Sequence, residues 1–339
     1  MKRMDIGIDL GTANIVISMG NKGVVLNEPS VIAYNRKTER VVAVGDEAYR
    51  MLGKTPPHIL AMCPLADGVI SDDIMTQCMI REFILKVCGK QLTKPRIVIC
   101  VPSFITEVEK KAIIETAMKA GARKVFLIEE PIAALIGAGV DISEANGNIV
   151  VDIGGGTSDV AVVSLGGVVN CSSIKVGGNK INQSIVKYIS AKYRMSIGET
   201  TAEQVKIELT NVFDPSPKRT SIIKGQNLLN GLPMQLKVNE IEIAEAVNEN
   251  IQAIIDAIHN VLDTTPPELT GDIYDNGILL TGGGALLGGL SRLITKQLSV
   301  KCESADEPLL CVAKGTGLAF NYLDTLLDGF QSVQMSKYR

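Results

Sequence analysis

Apolar residues along this chain fall into short runs that alternate with stretches of helical period. PRIVICVPS (residues 95–103) is a short β-branched run of the kind that forms a buried strand. TEVEKKAIIETAMKAG (106–121) predicts a helix, with Thr106 as cap, Glu109 three residues on, and Gly121 at its end. KVFLIEEP (124–131) is the next strand, and Pro131 suits the first turn of a following helix. TTAEQVKIEL (200–209) predicts a helix with Thr201 and Gln204 as its capping box. Residues 239–263 form a long amphipathic pattern, capped by Asn239, with Ile243, Val247, Ile251, Ile254, Ile258 and Val261 at helical spacing. TPPEL stops it, and GILLTGGGALLGGL (277–290) returns to strand, glycine turn and helix. This alternation predicts the α/β class. Residues 34–77 and 211–239 interrupt it and read as parts of smaller outer subdomains.

The pattern also repeats. IGIDLGTANIVISM (6–19) resembles IVVDIGGGTSDVAVVS (149–164): apolar strand, Asp, apolar residue, Gly, small polar turn, second apolar strand. Asp9 aligns with Asp152, Gly11 with Gly154 and Thr12 with Gly155, roughly one domain length apart. Two such halves predict a pseudo-symmetric pair of domains facing a shared cleft, a favoured place for small ligands.

Composition narrows the partners. With 339 residues the chain is long enough for two domains and a large core. A net charge of −3 gives no overall basic footprint, and the absence of Trp removes the best stacking platform, so nucleic acid is not an expected partner. The seven cysteines are scattered, with no C-x-x-C pair, and read as buried thiols in a reducing compartment. MKRMDIGIDL enters a strand pattern at once, without a signal peptide, and no apolar run approaches a membrane span. The expected location is cytoplasmic.

A polyphosphate needs backbone N–H groups at close approach. Glycine permits that approach and the positive φ angles of an anion nest. Gly154, Gly155 and Gly156 meet the need, with Thr157 adding a hydroxyl, and Gly11, Thr12, Ala13 and Asn14 do similar work in the other copy. Asp9 and Asp152 lead these turns, and carboxylates beside phosphates require a cation between them; Mg²⁺ held partly through water meets that requirement. A single glycine turn is explained by a hairpin alone, but two Asp-led copies are not. No Walker loop occurs, and a strand rather than a helix follows each turn, which excludes a Rossmann fingerprint.

Two further motifs stay open on spacing alone. Glu130, in IEEPIAALIGAG (128–139), stands at a strand-to-helix junction. It could orient an attacking water, or Glu129 and Glu130 could simply favour a helix N-terminus. Gly282, Gly283 and Gly284 precede a helix and could receive a nucleoside or its α-phosphate, or could serve tight packing.

The paired turns DLGTAN and DIGGGTSD, with EEPIAALIGAG and TGGGALLGGL, resemble the actin–chaperone–sugar kinase ATPase superfamily. NEPSVIAY, GKTPPHI, PLADGVISD, IGETTAEQVKIE, TPPELTGDI and EPLLCVAKGTG narrow the resemblance, over about residues 4–325, to the MreB family of bacterial actin homologues, Mbl-type members included. The resemblance implies an actin-like α/β fold, with two large domains of mixed sheets flanked by helices, two small subdomains, and ATP with Mg²⁺ in the cleft. The implied boundaries are 1–33 and 66–142 with C-terminal helices at 312–339, 34–65, 143–178 and 241–311, and 179–240. Thr12, Ala13 and Asn14 match the first phosphate loop, and Gly154, Gly155, Gly156 and Thr157 the second. Glu203, Gln204 and Lys206 match the nucleoside contacts, although Glu203 and Lys206 alone would read as a surface ion pair. Gly282, Gly283, Gly284, Ala285 and Leu286 match the adenosine motif. Glu130 matches the water-positioning glutamate and Thr157 its partner.

The function so implied is ATP-dependent polymerisation beneath the inner membrane, organising wall synthesis and setting rod shape, with slow ATP hydrolysis. Partners would be further copies of the chain, the membrane surface, and RodZ-like and other elongation-machinery proteins. Two departures matter. Many members read GGGTTEV where this chain has GGGTSDV, which bears on hydrolysis through Ser158 and Asp159. The membrane loop GKQLTKPR offers Leu92 followed by Thr93 rather than two bulky apolar residues. One buried Leu contributes about 2 kcal/mol, and Lys90 and Lys94 add attraction to anionic lipid, so weak, avidity-dependent membrane binding is expected. The competing reading is a small-molecule kinase of the same superfamily, which would need an acceptor-binding residue set that the sequence does not display.

Overall fold

The computed structural model describes residues 5–66, 69–89, 94–103, 105–322 and 331–333. The chain divides into two compact units, one of residues 1–146, 163–169 and 309–339, the other of residues 147–162 and 170–308.

The first unit is built on a six-stranded sheet, in the order Gln331–Val333, Lys124–Glu129, Arg96–Val101, Asp5–Leu10, Asn14–Met19, Gly23–Pro29. The central three run parallel, while the hairpin partners are antiparallel, so the sheet is mixed. Alternation sets its two faces. Ile6, Ile8, Ile15, Ile17, Ile97 and Ile99 turn to one side, where Met79 and Phe83 of helix Asp73–Cys88 and Ile113 of helix Glu107–Ala120 complete a core. On Gly7 the other face is bare, and helix Cys311–Leu318 lies so close that a Cβ there would stand 2.5 Å from Gly317 N. That helix also crosses helix Glu130–Gly137 at glycines: a Cβ on Gly315 would stand 1.8 Å from the Ala133 carbonyl oxygen. The crossing seats the helix that begins with Glu130. A small antiparallel sheet of Ile32–Asn35, Arg40–Val44 and Ile59–Met62 carries its own cluster of Val31, Ala33, Ala43 and Ala48.

A five-stranded sheet runs in the order Gly167–Ile174, Ser158–Ser164, Asn148–Ile153, Ile278–Thr281, Cys302–Ser304, and all of it but residues 163–164 and 167–169 belongs to the second unit. Its core gathers Ile149, Val151, Ile153, Val160 and Val162 with Ile181, Ile185 and Ile189 of helix Gly178–Tyr193. The long helix Glu240–Asp263 buries all six residues that its spacing singled out. A three-stranded sheet of Met195–Ser196, Thr220–Asn227 and Pro233–Asn239 forms the smaller part.

Capping follows the sequence at Thr106 and Asn239, which form full capping boxes with Glu109 and Glu242. It departs at Thr201 and Gln204. That helix spans Glu199–Leu209 and starts from Gly198, whose carbonyl accepts from Thr201 N and Ala202 N, so Thr201 lies inside the first turn. PPEL stops the long helix and also opens another, Pro267–Asn276, because proline is pre-set for a first helical turn. The expectation of C-terminal helices at 312–339 is corrected at one segment, since helix Cys311–Leu318 opens that range but a strand follows. Gln331–Val333 is a strand antiparallel to Lys124–Glu129, satisfying backbone groups that an open sheet edge would leave unpaired. All seven cysteines are free, and four of them are buried. No helix among the described residues is long and apolar enough to cross a membrane.

Candidate nucleotide-binding site

In the first unit, strands Asp5–Leu10, Arg96–Val101 and Lys124–Glu129 run parallel and end side by side. The carboxyl edge of parallel strands is where open α/β sheets bind ligands. Asp9, Cys100 and Glu129 stand at those ends, and Glu130 starts the next helix. Cys100 Sγ donates to Asp9 Oδ1 at 3.3 Å. Burial pushes the Asp9 carboxyl up to about 6, opposed by the Cys100 hydrogen bond. Burial, then the charges of Asp9 and Glu130, holds the Cys100 thiol well above its usual range, so it stays a proton donor.

The turn after Asp9 is gripped from the side. Ser30 Oγ donates to Gly11 O at 2.6 Å and Ser30 N to Ala13 O at 2.9 Å, while Cys63 Sγ donates to Thr12 O at 3.2 Å. A Cβ on Gly11 would stand 2.6 Å from Asn14 O, so the tightness of this turn demands glycine. Ala13 and Asn14 are exposed, and Asn14 Nδ2 donates to Asn27 Oδ1 at 2.8 Å.

The second unit repeats the plan. Asn148–Ile153 and Ile278–Thr281 run parallel with Asp152 opposite Thr281, and the buried Thr281 hydroxyl donates to Asp152 Oδ2 at 2.7 Å. Gly154 N donates to Thr157 O at 2.9 Å and closes the turn. The carbonyls of Gly154 and Gly155 accept from Gly178 N at 2.9 Å and Asn179 N at 2.8 Å. A Cβ on Gly177 would stand 2.7 Å from Gly154 O, so the start of that helix reaches the turn only because it is glycine.

The expected positive φ is not found at Gly11, Gly154, Gly155 or Gly156. Gripped carbonyls hold these turns without it. A Cβ on Gly154 would meet no described atom nearer than 3.5 Å. Neither backbone twist nor internal packing requires glycine there, whereas close approach of a ligand would.

The third glycine cluster differs from its prediction. Gly282 is at φ +76°, and a 3₁₀ turn, Gly283–Leu286, follows it; the α-helix waits until Leu290. Packing is the cause: a Cβ on Gly284 would stand 2.1 Å from Ile153 Cγ2. Gly283 and Leu286 face solvent, while Gly284 and Ala285 are buried. Glu203 and Lys206 meet on helix Glu199–Leu209, Nζ to Oε2 2.8 Å, with Lys206 only 9% exposed, which is not an ordinary surface pair. Gln204 is exposed and lies outside that pair.

Residues 3–328 match the family described as MreB/Mbl protein. The chain belongs to the MreB/Mbl family. It is 49% identical over 323 residues to the cell shape-determining protein Mbl of Bacillus subtilis, covering 95% of this chain and 97% of that protein. It is 45% identical to the cell shape-determining protein MreB of Escherichia coli, covering 94% of each. A crystal structure of MreB5 of Spiroplasma citri bound to ADP superposes with a TM-score of 0.91 at 36% identity, covering 96% of this chain and 99% of that one. The two mixed, helix-flanked sheets are therefore those of the actin-like fold.

Within this MreB/Mbl chain, sequence reasoning missed Ser30, Cys63, Cys100, Asn182 and Thr281, all of which hold a site residue. Only Thr281 carried a signal, as the residue leading the third glycine cluster. No group of three or more His, Cys, Asp or Glu side chains that could hold a metal ion gathers among the described residues. Leu92, the expected membrane contact, lies outside the described residues.

Proposed function

We propose that this chain is an ATP-dependent, filament-forming bacterial actin that organises wall synthesis under the membrane and sets rod shape. The observation that carries the reading is the duplicated plan: an Asp at a strand's carboxyl end, followed by a turn whose carbonyls are held by the protein. Thr12, Ala13 and Asn14 with Gly154, Gly155, Gly156 and Thr157 take the phosphates. Asp9 and Asp152 hold Mg²⁺ through water. Two carboxyls at the heads of the phosphate turns suit a cation held through water, since carboxylates beside phosphates repel without one. When bound, the ion neutralises charge on the phosphate oxygens.

Glu203 and Lys206, with Gln204 beside them, contact the nucleoside, and Gly282 to Leu286 form its adenosine shelf. Glu130 orients the attacking water and Thr157 assists it, giving slow hydrolysis coupled to polymerisation. The four-part division anticipated from the sequence, the membrane contact through Leu92, and RodZ-like partners belong to the same proposal. Light scattering and electron microscopy with ATP and Mg²⁺, against no nucleotide, test it. Nucleotide-dependent filaments are expected, and their absence under all conditions overturns it. Liposome co-sedimentation in which filaments bind and monomers do not tests the membrane contact.

A further inference from the structure

Asn182 lies one helical turn into Gly178–Tyr193 and is only 6% exposed. Its Nδ2 donates to Glu203 Oε2 at 2.6 Å. Lys206 Nζ donates to the same oxygen at 2.8 Å and to the Gly178 carbonyl at 3.3 Å. One carboxylate oxygen of Glu203 thus takes two donors, one from each of two helices, and the other accepts no hydrogen bond from any described residue. The amide cannot be turned round without setting its oxygen against the carboxylate, so the donor role is fixed by chemistry. The same orientation leaves Asn182 Oδ1 buried without a partner. Natural cores rarely retain an unpaired polar atom that serves stability alone.

A carboxylate only accepts, and a ribose diol offers two adjacent O–H donors. A carboxylate swinging freely on its side chain would be a poor match for that diol. One locked through Oε2 presents Oε1 in a fixed direction. We propose that Asn182 is a positioning residue that locks Glu203 for recognition of the ribose hydroxyls, so that the chain selects ribonucleotides over deoxyribonucleotides. This rests on the nucleotide-binding reading above, and it adds a residue and a selectivity to it.

The test is competition binding of ATP, 2′-deoxy-ATP and 3′-deoxy-ATP to the full chain with Mg²⁺. Wild type should prefer ATP over at least one deoxy analogue by about tenfold or more, the scale of a hydrogen bond to a charged group. Asn182→Ala should bring that ratio near one while changing deoxy-analogue affinity little. Asn182→Asp, of the same size, opposes a carboxylate to Glu203 and should do the same if the alanine variant folds poorly. In Glu203→Gln, adding Asn182→Ala should change the ratio no further. A residue that merely ties the two helices together would weaken all three nucleotides alike, and that result overturns the proposal. So does wild-type binding that ignores the ribose hydroxyls, with the nucleotide reading intact. Wild type that binds no nucleotide at all overturns both.

Discussion

Thr157 donates its hydroxyl proton to Asp159 Oδ2 at 2.8 Å, two residues along the same chain. Asp159 is buried, and its Oδ1 has no hydrogen-bond partner. Burial raises its carboxyl above the usual range, opposed by hydrogen bonds from Ser173 and Thr157. With its proton committed to Asp159, the Thr157 hydroxyl is left with lone pairs to offer a water. Asp159→Ala should therefore slow ATP hydrolysis by about tenfold, the scale of one lost hydrogen bond to a charged group. Nucleotide affinity should stay within about twofold, because the turn's backbone is held by other bonds. Single-turnover phosphate release alongside equilibrium binding checks both.

Glu130→Ala removes the side chain proposed to orient the attacking water but leaves both turns intact. Phosphate release should fall by about a hundredfold, with ATP affinity nearly unchanged. Equal loss of both would make Glu130 a structural residue of its helix start.

Two glycines give opposite predictions. Gly154→Ala has room inside the protein, nothing lying within 3.5 Å of the new Cβ, so its thermal midpoint should be close to that of wild type. Its ATP affinity should fall by about tenfold or more, since a methyl group would then stand where the proposed phosphate site lies. Gly315→Ala drives a methyl to 1.8 Å from the Ala133 carbonyl oxygen and should cost about 3 kcal/mol or prevent folding. Thermal unfolding and nucleotide titration of the two variants separate a glycine kept for a ligand from one kept for helix contact.

Asp9 makes metal-free stability depend on pH. Its carboxyl is raised from 3.8 to about 6 in the fold, so the native state holds the proton more tightly than the unfolded chain does. The associated stability is fully present below pH 3.8 and is lost as pH rises through about 6. Asp9→Asn should thus be more stable than wild type at pH 7 in chelator, by no more than about 3 kcal/mol. The difference should vanish near pH 4. Denaturant melts at both pH values check the sign.

Much of this was legible in the sequence because local rules governed it. The six apolar positions from Ile243 to Val261 and the caps at Thr106 and Asn239 depend on residues within a turn or two. So did the paired Asp-led turns, which a repeat makes visible. What escaped detection depends on long-range contact. Cys100 reaches Asp9, Asn182 reaches Glu203 and Ser30 reaches Gly11 only once strands and helices are packed. The 3₁₀ turn after Gly282 likewise follows from the nearness of Ile153, which no local pattern encodes. Gln331–Val333 became a strand because an edge was available, not because its three residues demand it.

The grip on the turn carbonyls has an electrostatic consequence. Every peptide bond here is trans among the described residues, so each C=O and the N–H that follows it point in opposite directions. Tying the oxygens of Gly154 and Gly155 to Gly178 and Asn179 thus turns the N–H groups of Gly155 and Gly156 the other way. The oxygens of Gly11, Thr12 and Ala13, held by Ser30 and Cys63, do the same for the residues that follow them. In each turn the negative ends of these peptide dipoles are tied to the protein and the positive ends face away from those bonds. That polarity suits the phosphate role proposed for both turns, without a single arginine or lysine in either.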